Sequence, residues 1–126
     1  MKRVWIAIGL LLIIMAGTLA HSFHIASFTH DLSLLLEAAE AEAEQGYWDK
    51  AEELTEIAHD KWDQHSTYLH ITLRHTETDE VYTGFREVAE FIQCREGGEY
   101  SAANARLIAS LELLSEAEQL TLKNVL

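Results

Sequence analysis

Seven histidines, a single cysteine and twenty-one acidic side chains carry whatever chemistry this 126-residue chain can do. The histidines are His21, His24, His30, His59, His65, His70 and His75. Two of them have a carboxylate four residues on: His59 with Asp63, and His75 with Asp79, where Glu77 lies between. Residues four apart share a helix face, so each pair offers one nitrogen and one oxygen donor. A transition-metal site needs three or four convergent donors backed by a second shell. The His-Glu-x-x-His pattern that supplies such donors from one helix is absent. His59, Asp63, His75 and Asp79 are the candidate ligands. The expectation is nevertheless surface, capping or membrane-interface histidines and no cofactor.

Nucleophilic catalysis needs a serine or cysteine with a base and an oxyanion site. The chain has no glycine-rich elbow, and Cys94 stands in no local motif. As the lone cysteine, Cys94 cannot form an intramolecular disulfide, and a half-buried apolar role is expected for it. Gly97-Gly98 reads as a turn between helices and not as a phosphate loop. The carboxylates fall on helical faces as solvated charge. Trp62, Phe85, Phe91 and Tyr68 lie on or beside apolar stripes and are expected in the core, with Trp48 and Tyr100 at the two hairpin turns. No catalytic constellation emerges, and the expectation is a non-enzyme.

Elements that would position these side chains begin with an apolar one. Met1-Lys2-Arg3 precedes Val4 to Ala20, which carries no charge. As a helix this run reaches roughly 25 Å, just short of a hydrocarbon core of about 30 Å. His21 to Ile25 would complete the span. Lys2 and Arg3 predict a cytoplasmic start, with the remaining chain outside. Residues 1–25 therefore read as a cytoplasmic start and transmembrane anchor in contact with lipid through residues 4–25. Residues 26–126 read as an extracytoplasmic helical bundle. The alternative is a signal peptide cleaved near Ala20, giving a secreted protein.

Beyond residue 25 the spacing is helical. Ile25, Phe28, Leu32, Leu35, Leu36 and Ala39 form one stripe, followed by the strong helix former Glu37 to Glu44. The membrane helix can run straight into this one, or Thr29 or Asp31 can cap a fresh start. Gly46 is a helix-ending glycine. A second stripe runs Ala51, Leu54, Ala58, Trp62, His65, Leu69 and Leu73 without losing phase, predicting one helix from Tyr47 to His75. Thr76-Glu77-Thr78-Asp79 reads as a polar turn with capping residues. A third stripe is Val81, Phe85, Val88 and Ile92, and a fourth is Ala103, Leu107, Leu111 and Leu114. Ser115 and Glu118 fit a capping box, opening a short last helix or lying inside a continuous one. Gly46-Trp48-Ala51 and Gly98-Tyr100-Ala103 share one spacing, like the turn of tetratricopeptide-type hairpins. Two loose copies fall short of a solenoid. The fold class predicted is all-α: an N-terminal transmembrane helix followed by an antiparallel bundle of four to five helices, built as two helical hairpins.

Charge narrows the partners. Beyond Arg3, seven basic side chains face twenty-one acidic ones, a net −14. Such a surface repels phosphate backbones, so nucleic acid is excluded as a partner. With its basic start and apolar segment, Trp62, His75-Thr76-Glu77-Thr78-Asp79 and the closing Leu122-Lys123-Asn124-Val125-Leu126, the chain resembles a bacterial family of short membrane-anchored proteins known as domain of unknown function 4363. The resemblance covers nearly the whole chain. It implies anchoring and an all-helical exposed domain, and it transfers no mechanism. The expected function is a non-catalytic interaction or accessory module for another membrane or envelope protein. The alternative is an extracytoplasmic sensory domain for a cation or small molecule. Homodimerisation through the apolar first helix is compatible with both.

Overall fold

The computed structural model describes the backbone of residues 1–72 and 75–125, and side chains throughout these except 67–72, 75, 121, 122, 124 and 125. Four helices make up the described chain, with no strand among the described residues: α1 Lys2–Glu44, α2 Trp48–Thr72, α3 His75–Cys94 and α4 Gly97–Val125. Without proline nothing forces a break. α1 is one unbroken rod of 43 residues, about 65 Å long. Thr29 starts no new helix. Its hydroxyl turns back onto the carbonyls of Ile25 (3.0 Å) and Ala26 (3.2 Å), as a threonine inside a helix does. Ser115 and Glu118 likewise lie inside α4, so the described residues form four helices and not five.

Two predicted turns move. Thr76 to Asp79 lie in the opening turns of α3, where Glu77 complements the positive helix N-terminus. Gly97 and Gly98 open α4. The preceding turn is made instead by Arg95, at φ 55. Its amide donates to the Ile92 carbonyl and that of Glu96 to Phe91. The α1–α2 turn has the same two bonds, from Gly46 to Ala43 and from Tyr47 to Glu42, with Gly46 at φ 87. Both are Schellman caps, one on glycine and one on arginine. A left-handed arginine is strained where glycine is not. Arg95→Gly is therefore expected to raise stability by about 0.5–1 kcal/mol. Gly46→Ala, whose new methyl would touch nothing within 4 Å, should lower it by about 1 kcal/mol through backbone strain alone. Urea midpoints at unchanged slope would measure both.

The caps also correct the spacing echo. Superposing them carries residue 46 onto residue 95, not onto 98. In that register the buried positions coincide in turn: Thr29 with Thr78, Leu32 with Val81, Leu36 with Phe85, Ala39 with Val88, and Ala43 with Ile92. Along the second helix of each hairpin Ala51, Thr55, Ala58 and Trp62 fall on Tyr100, Asn104, Leu107 and Leu111. The bundle is thus two hairpins of one pattern. α1 packs against α2 and α4, α3 packs closely on α4, and α2–α3 is the lightest side. Gly84 lets α3 close on α4, since a methyl there would sit 2.8 Å from Leu107 Cδ1.

The first half of α1 stays outside the core. Val4 to Ile14 expose their large apolar side chains, and the buried set begins at Ser22 and Ile25. α1 is long and apolar enough to cross a membrane, a property that anchors and signal sequences share.

Candidate functional site

The His59–Asp63 pair lies midway along α2. The His59 ring stacks flat on Phe85 of α3 (centroids 4.9 Å apart, 8° between planes), with Tyr82 edge-on at 6.5 Å. Its Nε2 is shielded from solvent and has no hydrogen-bond partner. Asp63 Oδ1 is 3.7 Å away, beyond hydrogen-bond range. An open groove of about 670 Å³ runs past His59 along α3, lined further by Tyr82, Arg86, Glu90 and Gln93. Asp79 borders a different groove, on the α4 side of α3, with Glu80 and Arg106. The His75 side chain is outside the described residues. The structure therefore does not bring His59 and Asp63 together with Asp79. Among the described residues no three His, Cys, Asp or Glu side chains converge as metal ligands.

Three histidines not singled out as candidate ligands, His21, His24 and His65, meet partners across helices. His21 Nε2 lies 3.2 Å from Glu118 Oε2 of α4. The His24 and His65 rings face each other across α1 and α2 at 5.9 Å. His65 also packs on Phe28 (4.4 Å), which stacks on Trp62 (6.3 Å, 18°). The His65 Nδ1–H donates to the Lys61 carbonyl at 2.9 Å, since a carbonyl only accepts. A cleft beside this ladder is lined by His24, Asp31, Lys61 and His65. The second stripe placed His65 on the core face, but its partner on α1 is visible only once the helices pack.

At the opposite end Trp48 and Tyr100 fulfil the expected aromatic packing by meeting each other edge-on at 5.6 Å. Trp62 and Phe85 are buried, Phe91 is half-buried, and the Tyr68 side chain is outside the described residues. Cys94 is exposed, correcting the half-buried expectation: two residues past Ile92, it points off the stripe. Two buried polar side chains of the second and fourth helices hold backbone. Thr55 donates to the Ala51 carbonyl (2.8 Å), and Asn104 Nδ2 donates to Leu36 O on α1 (3.0 Å).

Tyr100 is fully buried, and its hydroxyl has no partner. Burial raises its pKa above the ordinary phenol value, reinforced by the Glu40 and Glu44 carboxylates. The neutral phenol is thus favoured by folding. Its contribution is fully present below the unfolded-state pKa of about 10 and is lost as pH rises beyond it. Tyr100→Phe is expected to cost nothing at neutral pH, or to gain up to about 1 kcal/mol by removing an unsatisfied hydroxyl. It should also flatten the loss of stability above about pH 10, which urea titrations at both pH values would show.

A family model described as domain of unknown function (DUF4363) matches residues 19–125. The match starts just before the first buried residue of α1, Ser22, and ends with α4, so it takes in the whole bundle. No curated protein and no solved structure matches the chain.

Proposed function

We propose that this chain, which belongs to the domain of unknown function 4363 family, is a single-pass membrane protein whose acidic bundle outside the membrane serves as a non-catalytic interaction module for another membrane or envelope protein. The observation that carries this reading is the continuity of α1. Its first half exposes Val4 to Ile14, while its second half puts Ile25, Leu32, Leu36 and Ala39 at the centre of the bundle. A helix built this way holds a folded domain rigidly at a bilayer surface. Lys2 and Arg3 orient it with the start in the cytoplasm. Cleavage near Ala20 would instead release a bundle whose buried set, from Ser22 onward, is complete. Three buried polar side chains, Thr29, Thr55 and Asn104, support the non-catalytic reading because each donates to a backbone carbonyl within the core.

Cross-linking the full-length protein in its native membrane, followed by mass spectrometry, tests the proposal. One dominant membrane or envelope partner, recovered reproducibly, is the expected result. Recovery of self-cross-links alone, or of nothing, would count against it. A ligand-sensing domain is the second reading, favoured by the unpartnered His59 Nε2 beside an open groove. A rise in melting temperature with zinc or a polyamine would support that reading by mass action, and a flat response would remove it.

A further inference from the structure

Among the described residues the outward faces of the four helices differ in charge. On α1 the line opposite the buried Ile25, Leu32 and Leu36 runs through Phe23, Ser27, His30, Leu34, Ala38 and Ala41 at steps of three and four. All six are exposed, and none is Asp, Glu, Lys or Arg. The same line continues down α1 through Trp5, Leu12 and Ala16, also exposed. The corresponding lines on two other helices are charged: Asp49, Glu53 and Asp60 on α2, and Asp79, Arg86 and Glu90 on α3. α4 comes nearest, with Ala105, Ala109 and Leu113, but Glu112 and Glu116 close that line toward the apolar end.

Lipid covers only the lower end of the α1 line. Even with the span drawn to Ile25, Leu34 and Ala41 stand about 14 and 24 Å beyond the hydrocarbon, and the headgroup layer adds only about 5–7 Å. What covers the rest must leave the bilayer beside α1 and follow it as a helix. α1 itself has that form. On the anchored half of the reading proposed above, two copies stand the same way up, so they meet in parallel about a two-fold axis. On such an axis each residue faces its own counterpart. In a domain of net −14, a charged line would repel itself, so this pairing selects an uncharged one. From Trp5 to Ala41 the line is about 55 Å long. With helices about 10 Å wide, a pair buries roughly 1,000 Å² in all, which reaches the lower bound for a specific interface. α2 and α4 pack on the other side of α1, through Phe28 and Leu36, and leave the line clear. Asp31 and Glu37 flank it at the rim, where salt screens their repulsion over about 8 Å.

We propose that a second copy of this chain covers this line, α1 against α1 in parallel, from the apolar run up to Ala41. Phe23 and Leu34, the large exposed apolar side chains of its upper half, then pack on their own counterparts. The pairing leaves the charged faces of α2 and α3 turned away from the axis.

The test uses full-length chains with a single cysteine in a Cys94→Ser background. Vesicles let copies meet, and one copy per nanodisc holds the helix unpaired. Ser27→Cys and Ala38→Cys lie on the line, and Glu53→Cys on the outward face of α2 is the control. Mild oxidation in vesicles should join the Ser27→Cys and Ala38→Cys chains into dimers several-fold more completely than Glu53→Cys, because a disulfide needs Cβ atoms within about 4.5 Å. Leu34→Glu, added to Ser27→Cys, should abolish most of the product by setting a charge against its own copy, while Leu34→Gln should keep more of it. Circular dichroism should show both variants folded, since Leu34 is exposed. Equal yields at the three positions, no dimer in vesicles, or full retention in a folded Leu34→Glu chain would overturn the proposal while leaving the anchor intact. So would a Ser27→Cys product in native membranes that joins a different protein in place of a second copy. Failure of the chain to float with vesicles would overturn the anchored reading and this proposal together.

Discussion

Phe85→Ala is expected to destabilise the bundle by about 3–5 kcal/mol, the range for truncating a large aromatic in a core that cannot collapse around the loss. Phe85 is 0% exposed. It also carries the α2–α3 side, the lightest in the bundle, through its stacking on His59. Removing the ring empties a core position and leaves His59 without its packing surface. Small domains are stable by only about 5–15 kcal/mol, so the loss is a large share of the total. For a domain of this size it corresponds to a fall in melting temperature on the order of 15–30 °C. Leu34→Ala is the control: Leu34 is 50% exposed, and its truncation should cost less than about 0.5 kcal/mol. Thermal and urea unfolding of the two variants would check the ranking. A Phe85→Ala protein as stable as the Leu34→Ala control would mean that α2 and α3 do not pack as described.

Leu12→Arg should have the opposite profile, with a large effect on membrane insertion and none on the bundle. Leu12 lies near the middle of the apolar run and is 59% exposed, far from the core. A charge at the centre of a spanning helix costs about 2.5–3.5 kcal/mol on insertion-based scales, enough to lower the inserted fraction roughly 100-fold if insertion is near balance. The buried set of the bundle begins only at Ser22, well past Leu12, so the melting temperature should not change. Carbonate extraction of membranes carrying each protein gives the first quantity, and circular dichroism of the purified chain gives the second. Loss of bundle stability in Leu12→Arg would show that the apolar half packs on the bundle.

Much of the core was legible before packing was known, although Leu35 and Leu54 of the stripes are only half-buried and the side chains of Leu69 and Leu73 lie outside the described residues. Val81, Phe85, Val88 and Ile92, and Ala103, Leu107, Leu111 and Leu114, are buried as their spacing predicts. Helical period and apolar side chains fix a buried face locally. Turn positions were less legible, for two physical reasons. Arginine carries no signal for a left-handed cap, so Arg95 was hidden beside the conspicuous Gly97-Gly98 pair. Thr76 to Asp79 have the composition of a linker and equally of an acidic first turn, which the helix dipole favours. The candidate ligands fared according to distance in the chain. His59 and Asp63, four residues apart, are near each other, though too far for a hydrogen bond. Asp79 depends on which face of α3 meets which neighbour, and it borders another groove. The His24–His65 and His21–Glu118 pairs join residues far apart in sequence, and only antiparallel packing brings them level.

The central claim is that α1 carries its helix unbroken from the membrane into the core of the bundle. The most direct measurement is a spin-label distance between Leu12→Cys and Leu34→Cys, both at exposed positions, in the Cys94→Ser full-length chain reconstituted in lipid nanodiscs. An unbroken helix places these backbones about 33 Å apart and gives one narrow distribution. A broad distribution, or one centred well below that distance, would place a break between the apolar run and the bundle and contradict the account.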